Sequence, residues 1–167
     1  MTITANIAVP ARSLKELMAL ARARPGQLNY GSAGVNGINH LAAELFTTMT
    51  GARMTHVPFA STSSVEGLIG GQTQLQISPI PSLLSFIRSG QLVALGVTTL
   101  ARSPMLPEVP TLAEQGLKGF LAVAWNGVNA PARTPKAAID QVHMAFVESL
   151  KLRGVHAVAN CANGEGE

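Results

Sequence analysis

A glycine-rich turn between a predicted strand and a predicted helix has the residue types and spacing to bind an anion. Small residues before a helix N-terminus let an anion approach the backbone N–H groups, and the positive end of the helix dipole favours negative charge there. The sequence therefore predicts a cradle for a carboxylate or phosphate that uses main-chain donors and one serine hydroxyl. The predicted cradle residues are Ser32, Ala33, Gly34, Asn36 and Gly37.

The same turn has alternative interpretations. Its small residues also permit close packing of a strand against a helix without any ligand, and Asn36 is equally suited to be the N-cap of the following helix. Nucleotide-binding motifs fit poorly, because the glycines at 31, 34 and 37 do not follow the dinucleotide-binding order. The Gly-Lys-Ser/Thr of a P-loop does not follow them either.

Further ligand-binding candidates follow other predicted strands. In an open α/β sheet, ligands bind at the carboxyl ends of the strands, and residues there can line a crevice. Ordinary loop polarity is the alternative for these residues, and for the neighbouring Trp125 packing is the more common role. The candidates are Phe59, Ser61, Thr62, Ser78 and Asn126.

Catalytic and metal-binding motifs are not found in the sequence, which predicts neither an enzyme nor a bound metal or cofactor. It lacks a G-x-S-x-G elbow, an H-E-x-x-H helix and an obvious pair of carboxylates, and its one cysteine is Cys161. His40 and Glu44 are about one helical turn apart, but two residues do not make a metal site.

The composition is that of a folded domain. Of the 167 residues, 47% are hydrophobic and 13% are charged, and the formal net charge of +3 is spread along the chain. Without a basic run or an aromatic stacking platform, nucleic acid is not a predicted partner. No apolar run reaches the roughly 18 residues of a membrane span, and the N-terminal residues lack a signal-peptide pattern.

Alternating strand and helix signals predict an α/β fold with a mostly parallel sheet and helices on both faces. Three capping boxes begin at Ser13, Ser63 and Thr111, and each predicts the start of a helix. Pro79 and Pro81 are compatible with the first turn of a further helix. Strands are predicted at 28–30, 53–57, 75–78, 92–98 and 121–125, and the remaining helices at 38–50 and 135–150.

A series of short segments occurs in the order and spacing of one known family. They include Gly31-Ser32-Ala33-Gly34, His40-Leu41-Ala42-Ala43-Glu44, His56-Val57-Pro58-Phe59, Gly70-Gly71-Gln72 and Pro107-Glu108-Val109-Pro110-Thr111. Over residues 9–150 the sequence resembles the Bug-type receptors, which are the extracytoplasmic solute-binding components of tripartite tricarboxylate transporters.

The resemblance implies a type II periplasmic-binding-protein lobe that binds a small carboxylate and performs no chemistry on it. In the family, main-chain donors and small hydroxyls near the Gly-Ser-x-Gly turn bind the carboxylate, in agreement with the predicted cradle. Residues 8–126 would form the second lobe of a two-lobe protein, residues 127–154 a return segment and a helix that packs on the first lobe, and residues 155–167 a frayed tail. Membrane transporter subunits are the implied partners. The implied location is periplasmic, while the missing signal peptide leaves a cytoplasmic location open for the chain as given.

The sequence also departs from the family pattern. Family members have a complete first lobe before the matching region, their aromatic-Lys-Gly is Phe59-Ala60-Ser61 here, and Gln74 stands at a usually acidic position. We therefore expect a truncated receptor with impaired carboxylate binding, or alternatively a fragment with no ligand. A self-associating module is a further alternative, because a helix at 135–150 would expose an apolar stripe. The stripe comprises Ile139, Val142, Phe146 and Leu150.

Overall fold

The computed structural model describes residues 1–60, 63–125 and 128–150, which contain five strands and five helices. The strands are β1 (Thr2–Asn6), β2 (Leu28–Ser32), β3 (Met54–Pro58), β4 (Leu75–Ser78) and β5 (Leu92–Val97). The helices are α1 (Leu14–Ala23), α2 (Ile38–Thr50), α3 (Ser63–Ile69), α4 (Ile80–Arg88) and α5 (Lys136–Leu150). The chain divides into two compact units, of which the first is Met1–Trp125 and the second contains α5.

All five strands belong to one sheet with the order β3-β2-β4-β1-β5. The strand β2 pairs in parallel with β3 and β4, whereas β1 pairs antiparallel with β4 and β5. Because β1 is antiparallel to both of its neighbours, β5 runs in the same direction as β4. The predicted α/β class with a mostly parallel sheet is therefore confirmed, with β1 as the exception.

The strand β1 has no counterpart among the predicted strands. All five of its residues are buried, so the usual alternation of buried and exposed residues is missing. The Thr2 hydroxyl donates to the Gly96 carbonyl oxygen at 3.1 Å, which satisfies a polar side chain inside the sheet. The first unit thus includes β1, an interior strand of the sheet. The expected lobe begins at residue 8, after this strand.

Two predicted elements are wrong. Residues 112–116 form a turn rather than a helix, although Thr111 and Glu114 make the reciprocal hydrogen bonds of a capping box. Gly116, at φ 98°, and a backbone bond from Leu117 N–H to the residue 112 carbonyl end this segment after one turn. Residues 121–125 are not a strand. Among the described residues, a single backbone bond joins this segment to the chain after β5, from Ala122 N–H to the residue 98 carbonyl.

The helix α2 is held on the sheet by one face. Ala42, Ala43 and Phe46 are buried, and the Phe46 ring meets Phe120 edge to face with 6.3 Å between centroids. Burying a side chain of the size of Phe46 stabilises a fold by about 1.5–3 kcal/mol. This packing fixes the position of the first turn of α2 beside the sheet.

The Phe59 ring packs against the backbone of β2 and α3. A Cβ atom at Gly67 would lie 2.5 Å from Phe59 Cζ, and a Cβ atom at Gly31 would lie 3.4 Å from Phe59 Cε2. Gly67 therefore leaves the space that the ring occupies.

This packing predicts that Gly67→Ala destabilises the protein by about 1–3 kcal/mol, because the new methyl group overlaps the Phe59 ring. In a helix without this contact, the same substitution would stabilise by about 0.5–1 kcal/mol. Urea unfolding followed by circular dichroism measures the difference. Adding Phe59→Leu to Gly67→Ala serves as the control, since the smaller side chain should recover part of the loss. An unfolding midpoint for Gly67→Ala equal to or above that of the wild type would contradict the packing.

Candidate functional site

An open cleft of about 360 Å³ lies at the carboxyl ends of the parallel strands β2 and β4. Ala33 follows β2, and Gln76 and Ser78 belong to β4, so the ends of two adjacent strands form one side of the cleft. Residues at the starts of α2, α3 and α4 form the other side. The lining residues are Ala33, Asn39, Ser64, Val65, Gln76, Ser78, Pro79 and Ser82.

The order of strands and helices explains why these residues meet. Each of the three helices follows a parallel strand, so the N-terminus of the helix lies close to the carboxyl end of that strand. The helix α2 begins after Gly37, which adopts an extended conformation and offers no side-chain cap to the first N–H groups. These uncapped donors and the helix dipole make the start of α2 electropositive.

A hydrogen-bonded chain of four side chains runs along the cleft. Asn39 Nδ2 and Gln76 Nε2 each donate to Ser78 Oγ at 2.6 Å, and Gln76 Nε2 also donates to Ser64 Oγ at 3.1 Å. A serine oxygen has two lone pairs, so both acceptor positions of Ser78 are occupied. The hydroxyl hydrogen of Ser78 finds no acceptor among the described residues, and the residue is 1% exposed.

None of the described side chains that line the cleft carries a formal charge. An anion there would be held by hydroxyl and N–H donors and by the helix dipole. A carboxylate oxygen suits such a site, because an ionised carboxylate only accepts hydrogen bonds.

A second cavity, of about 330 Å³, lies at the opposite ends of these strands, beside Asn6, Arg24 and Gln74. The Asn6 side chain is already used there. Its Nδ2 donates to the Leu68 carbonyl oxygen at 2.7 Å, and its Oδ1 accepts from Ala8 N–H at 2.8 Å. None of the predicted site residues that the structure describes lines this cavity.

Ser32 does not line the first cleft, because its hydroxyl is used within the turn. Ser32 Oγ donates to the Gly34 carbonyl oxygen at 2.9 Å and lies 2.7 Å from His56 Nε2. Since the hydroxyl hydrogen is directed to Gly34, the His56 Nε2–H group is assigned as the donor to Ser32 Oγ. Ser32 is fully buried, so its side chain fixes the shape of the turn.

Three rings stack beside this turn. The His56 ring lies 4.9 Å from that of Tyr30 and 4.1 Å from that of His40, with interplanar angles of 21° and 26°. The Tyr30 hydroxyl donates to the Glu44 carboxylate, and His40 Nε2 lies 3.9 Å from the same carboxylate. Burial, together with the Glu44 contact, raises the pKa of Tyr30. Burial and the neighbouring His40 lower the pKa of His56.

Asn36 is not the N-cap of α2, because Gly37 takes that position. Asn36 adopts a left-handed conformation with φ 63°, which asparagine tolerates better than most residues. Its N–H donates to His40 Nδ1 at 3.2 Å. Together with Gly34, at φ 126°, it turns the chain from β2 into α2.

Among the predicted site residues, Ala33 and Ser78 line the cleft. The Phe59 ring packs against α3 and β2. Ligand binding by Phe59 and by the turn residues stays a prediction. The candidates outside the described residues are Ser61, Thr62 and Asn126.

Asn39, Ser64 and Gln76 line the cleft but are absent from the sequence prediction. The available signal for Gln76 is its spacing from Ser78, because residues two apart in a strand point to the same side of the sheet. A glutamine inside an otherwise apolar strand also needs a partner. Asn39 and Ser64 lie in first turns of helices, where capping explains a polar residue equally well.

Among the described residues, no third side chain joins His40 and Glu44 in a group that could hold a metal ion. Within residues 1–60, 63–125 and 128–150, no three His, Cys, Asp or Glu side chains are placed to hold a metal ion. No helix in these ranges has the length and apolar content needed to cross a membrane.

Comparison with known proteins identifies the family. The family model described as "Tripartite tricarboxylate transporter family receptor" (TctC) matches residues 1–159. The chain therefore belongs to the TctC family of receptors, and the resemblance to Bug-type receptors is confirmed. A receptor family of this kind is defined by binding a solute, not by catalysis.

Two relatives align with nearly the whole of this chain, and the aligned part is about half of each relative. The "UPF0065 protein in tcbD-tcbE intergenic region" of Pseudomonas sp. (strain P51) is 36% identical over 92% of this chain and 50% of its own. Protein BugT of Bordetella pertussis is 34% identical over 93% of this chain and 48% of its own. The chain thus spans about half the length of these relatives.

Solved structures of similar proteins have the same fold. The structure of "R. palustris Rpa4515 with adipate" has a TM-score of 0.87 and 31% identity, over 91% of this chain and 51% of that chain. The periplasmic binding protein BugD has a TM-score of 0.85 and 29% identity, over 91% and 51%. MatC from Rhodopseudomonas palustris with bound malate has a TM-score of 0.85 and 27% identity, over 92% and 53%. The predicted periplasmic-binding-protein fold is confirmed.

The ring stack predicts a loss of folding stability at acidic pH. Because the pKa of His56 is lower in the folded state, the unfolded chain binds more protons below the ordinary histidine pKa of about 6.5. The free energy of unfolding should therefore fall as the pH drops below about 6.5. His56→Gln keeps an N–H donor for Ser32 but does not titrate, so it should flatten this decline.

Thermal unfolding followed by circular dichroism between about pH 5 and about pH 8 tests this prediction. Thr55→Gln, at an exposed position of β3 beside His56, is the control and should leave the slope of the wild type, because neither side chain titrates. Equal slopes for the wild type and His56→Gln would contradict the assignment.

Proposed function

We propose that this chain binds a small carboxylate non-covalently, without a metal or cofactor, in the cleft at the carboxyl ends of β2 and β4. The observation that carries the proposal is the Ser78 hydroxyl. Its oxygen accepts from Asn39 and Gln76, so its hydrogen has no acceptor among the described residues and can donate to a ligand that reaches this buried position. A carboxylate is the suitable acceptor, because a hydrogen bond to an ionised group is stronger than one between neutral groups.

The surroundings of Ser78 favour an anion. Asn39 lies in the uncapped first turn of α2, where the helix dipole stabilises a negative charge by about 0.3–1 kcal/mol. Ser64 supplies a second hydroxyl on the other side of Gln76. Since none of the described side chains that line the cleft is cationic, we expect weak binding, and a millimolar Kd corresponds to about 4 kcal/mol.

The turn between β2 and α2 has a supporting role in this proposal. The backbone N–H group of Ala33 is a proposed donor to the carboxylate, whereas the Gly34 N–H group already donates to Ser32 Oγ at 3.3 Å and would have to exchange that bond for the ligand. Ser32 positions them through its bonds to Gly34 and His56, and Asn36 and Gly37 set the start of the helix. The secondary candidates remain Phe59, Ser61, Thr62 and Asn126.

The wider role is proposed from the family. The relatives described with adipate and with malate support a small carboxylate as the ligand class. Because this chain spans about half the length of such proteins, we propose that it corresponds to the second lobe of a two-lobe receptor with a periplasmic location and membrane transporter subunits as partners. A lobe that encloses its ligand from one side should bind more weakly than a closed pair of lobes.

Carboxylates should raise the thermal unfolding midpoint, and Ser78→Ala should reduce that rise to about a quarter or less. A ligand that binds only the folded state must stabilise it, and removing a hydrogen bond to a charged group costs about 1.5–3 kcal/mol, or more than tenfold in affinity. The measurement is a thermal melt with adipate, malate and citrate at about 10 Kd, or tens of millimolar if binding is weak.

Each variant is compared with its own ligand-free midpoint, so that a loss of stability is not mistaken for a loss of binding. Ser89→Ala is the matched control, because Ser89 lies at the end of α4 and donates to the Phe86 carbonyl oxygen. A cooperative melt that no carboxylate shifts would overturn the proposal, as would an equal rise in Ser78→Ala.

Self-association through α5 is the second proposal. Ile139, Val142 and Phe146 are 44%, 58% and 50% exposed and follow helical spacing, which forms an apolar stripe suited to a second copy of the same helix. The structure does not describe the side chain of Leu150, which is the fourth residue of the predicted stripe.

Light scattering should therefore detect a species larger than the monomer that dissociates on dilution. Val142→Glu places a charge in the stripe and should shift the equilibrium to the monomer, whereas Gln141→Glu beside it should not. A wild-type chain that is monomeric at every concentration would exclude this association.

A further inference from the structure

We propose that two copies of the chain pair through residues 120–125, whose outer backbone edge has no partner among the described residues. This association is independent of the proposed carboxylate site, and it uses a different surface from α5. Three features of the segment carry the proposal. They are its alternating burial, the direction of its backbone hydrogen bonds and the lack of charge along it.

The burial of this segment alternates from residue to residue. Phe120 and Ala122 are buried, and Ala124 packs against the same hydrophobic core. The residues between them, Leu121 and Val123, are each 50% exposed. A period of two is typical of an extended backbone with one face on a core, because residues two apart in a helix lie on different faces.

The inner backbone edge of the segment is already bonded. The Ala122 N–H donates to the Thr98 carbonyl oxygen at 3.3 Å, and the Ala122 carbonyl oxygen accepts from the Thr98 hydroxyl at 2.6 Å. Thr98 directly follows β5, so both backbone groups of Ala122 are directed toward the end of the sheet.

The outer backbone edge belongs to Leu121 and Val123. In an extended chain, the N–H and C=O groups of one residue point to one side and those of its two neighbours to the other. Since Ala122 points toward Thr98, its neighbours point away from the sheet. Their N–H and C=O groups form no hydrogen bond within residues 1–60, 63–125 and 128–150. Such a row of unpaired groups is the template on which a second strand pairs.

The composition of the segment favours a second copy as the partner. Edge strands that stay unpaired are usually protected by charged residues or proline, and residues 119–125 contain neither. Trp125 is 83% exposed and, with Leu121 and Val123, gives an uncharged apolar face. An acidic or basic partner would find no complementary charge there, whereas an identical segment meets it with apolar side chains and without repulsion.

Two copies fit together in an antiparallel register centred on Ala122. Leu121 then lies opposite Val123 of the second copy, and the outward groups of each such pair exchange two N–H···O=C bonds. The two side chains of a pair meet on the exposed face, where cross-strand apolar contacts stabilise a sheet. Because the inner edge of each segment bonds to Thr98, pairing ends at two copies.

Amide hydrogen exchange of the full chain, followed by NMR over a range of chain concentrations, tests the pairing. The Leu121 and Val123 N–H groups should exchange about tenfold more slowly once about nine-tenths of the chains are paired, since only unpaired copies then exchange. The Ala122 N–H is bonded within one copy and should change much less. Val142→Glu should keep the slowing, at higher chain concentrations, because it removes the α5 contact alone.

Two variants of Val123 should remove the slowing at Leu121. Val123→Pro deletes an outward N–H donor, and Val123→Lys places like charges on the paired face. The monomer should keep its fold in both, because the Val123 N–H bonds to none of the described residues. Ile7→Lys is the matched control, since Ile7 is 48% exposed and lies after β1.

Exchange at Leu121 and Val123 that is independent of chain concentration would overturn the proposal. A slowing at Leu121 that is as large in Val123→Pro and Val123→Lys as in the wild type would overturn it too. Either result would leave the carboxylate site untouched, because that site lies at the ends of β2 and β4.

Discussion

The occupation of the Ser78 oxygen by two N–H donors is the interaction on which the candidate site depends. Asn39 approaches from α2 and Gln76 from β4, so one serine connects a helix start to a strand end and is left with a hydrogen to donate. Without the two amides, the Ser78 hydroxyl could rotate and accept as well as donate. The chemistry of the site thus follows from counting lone pairs and hydrogens.

The fold brings these groups together through its parallel strands. Because β2 and β4 are adjacent and run in the same direction, their carboxyl ends and the helices that follow open on the same cleft. The ring stack of Tyr30, His56 and His40 supports this arrangement from the side. It links α2 to β2 and β3, and His40 also accepts from the N–H of Asn36 in the turn.

The sequence predicts the parts of this arrangement that depend on local signals. The helix starts at Ser13 and Ile38 and the strand that ends at Ser78 follow from capping, glycine and hydrophobic patterns. Those signals extend over a few residues, so they miss features set by distant contacts. The strand β1 is buried on both faces and loses its alternation, and the region after Thr111 makes the bonds of a capping box without forming a helix. Ser32 looks like a ligand donor in sequence, but its hydroxyl is directed to Gly34 in the fold. Gln76 gains its importance from Ser64, which lies on a different element and has no local relation to it.

The most direct test of the central claim is an NMR titration of the ¹⁵N-labelled chain with adipate, following every backbone amide. Binding in the cleft predicts that the largest saturable shifts occur at Ala33, Asn39, Ser64 and Ser78. Little change is expected around Asn6 and Arg24, which lie at the opposite ends of the strands. Shifts concentrated at Asn6 and Arg24, or no saturable shift anywhere, would contradict the assignment of the cleft as a carboxylate site.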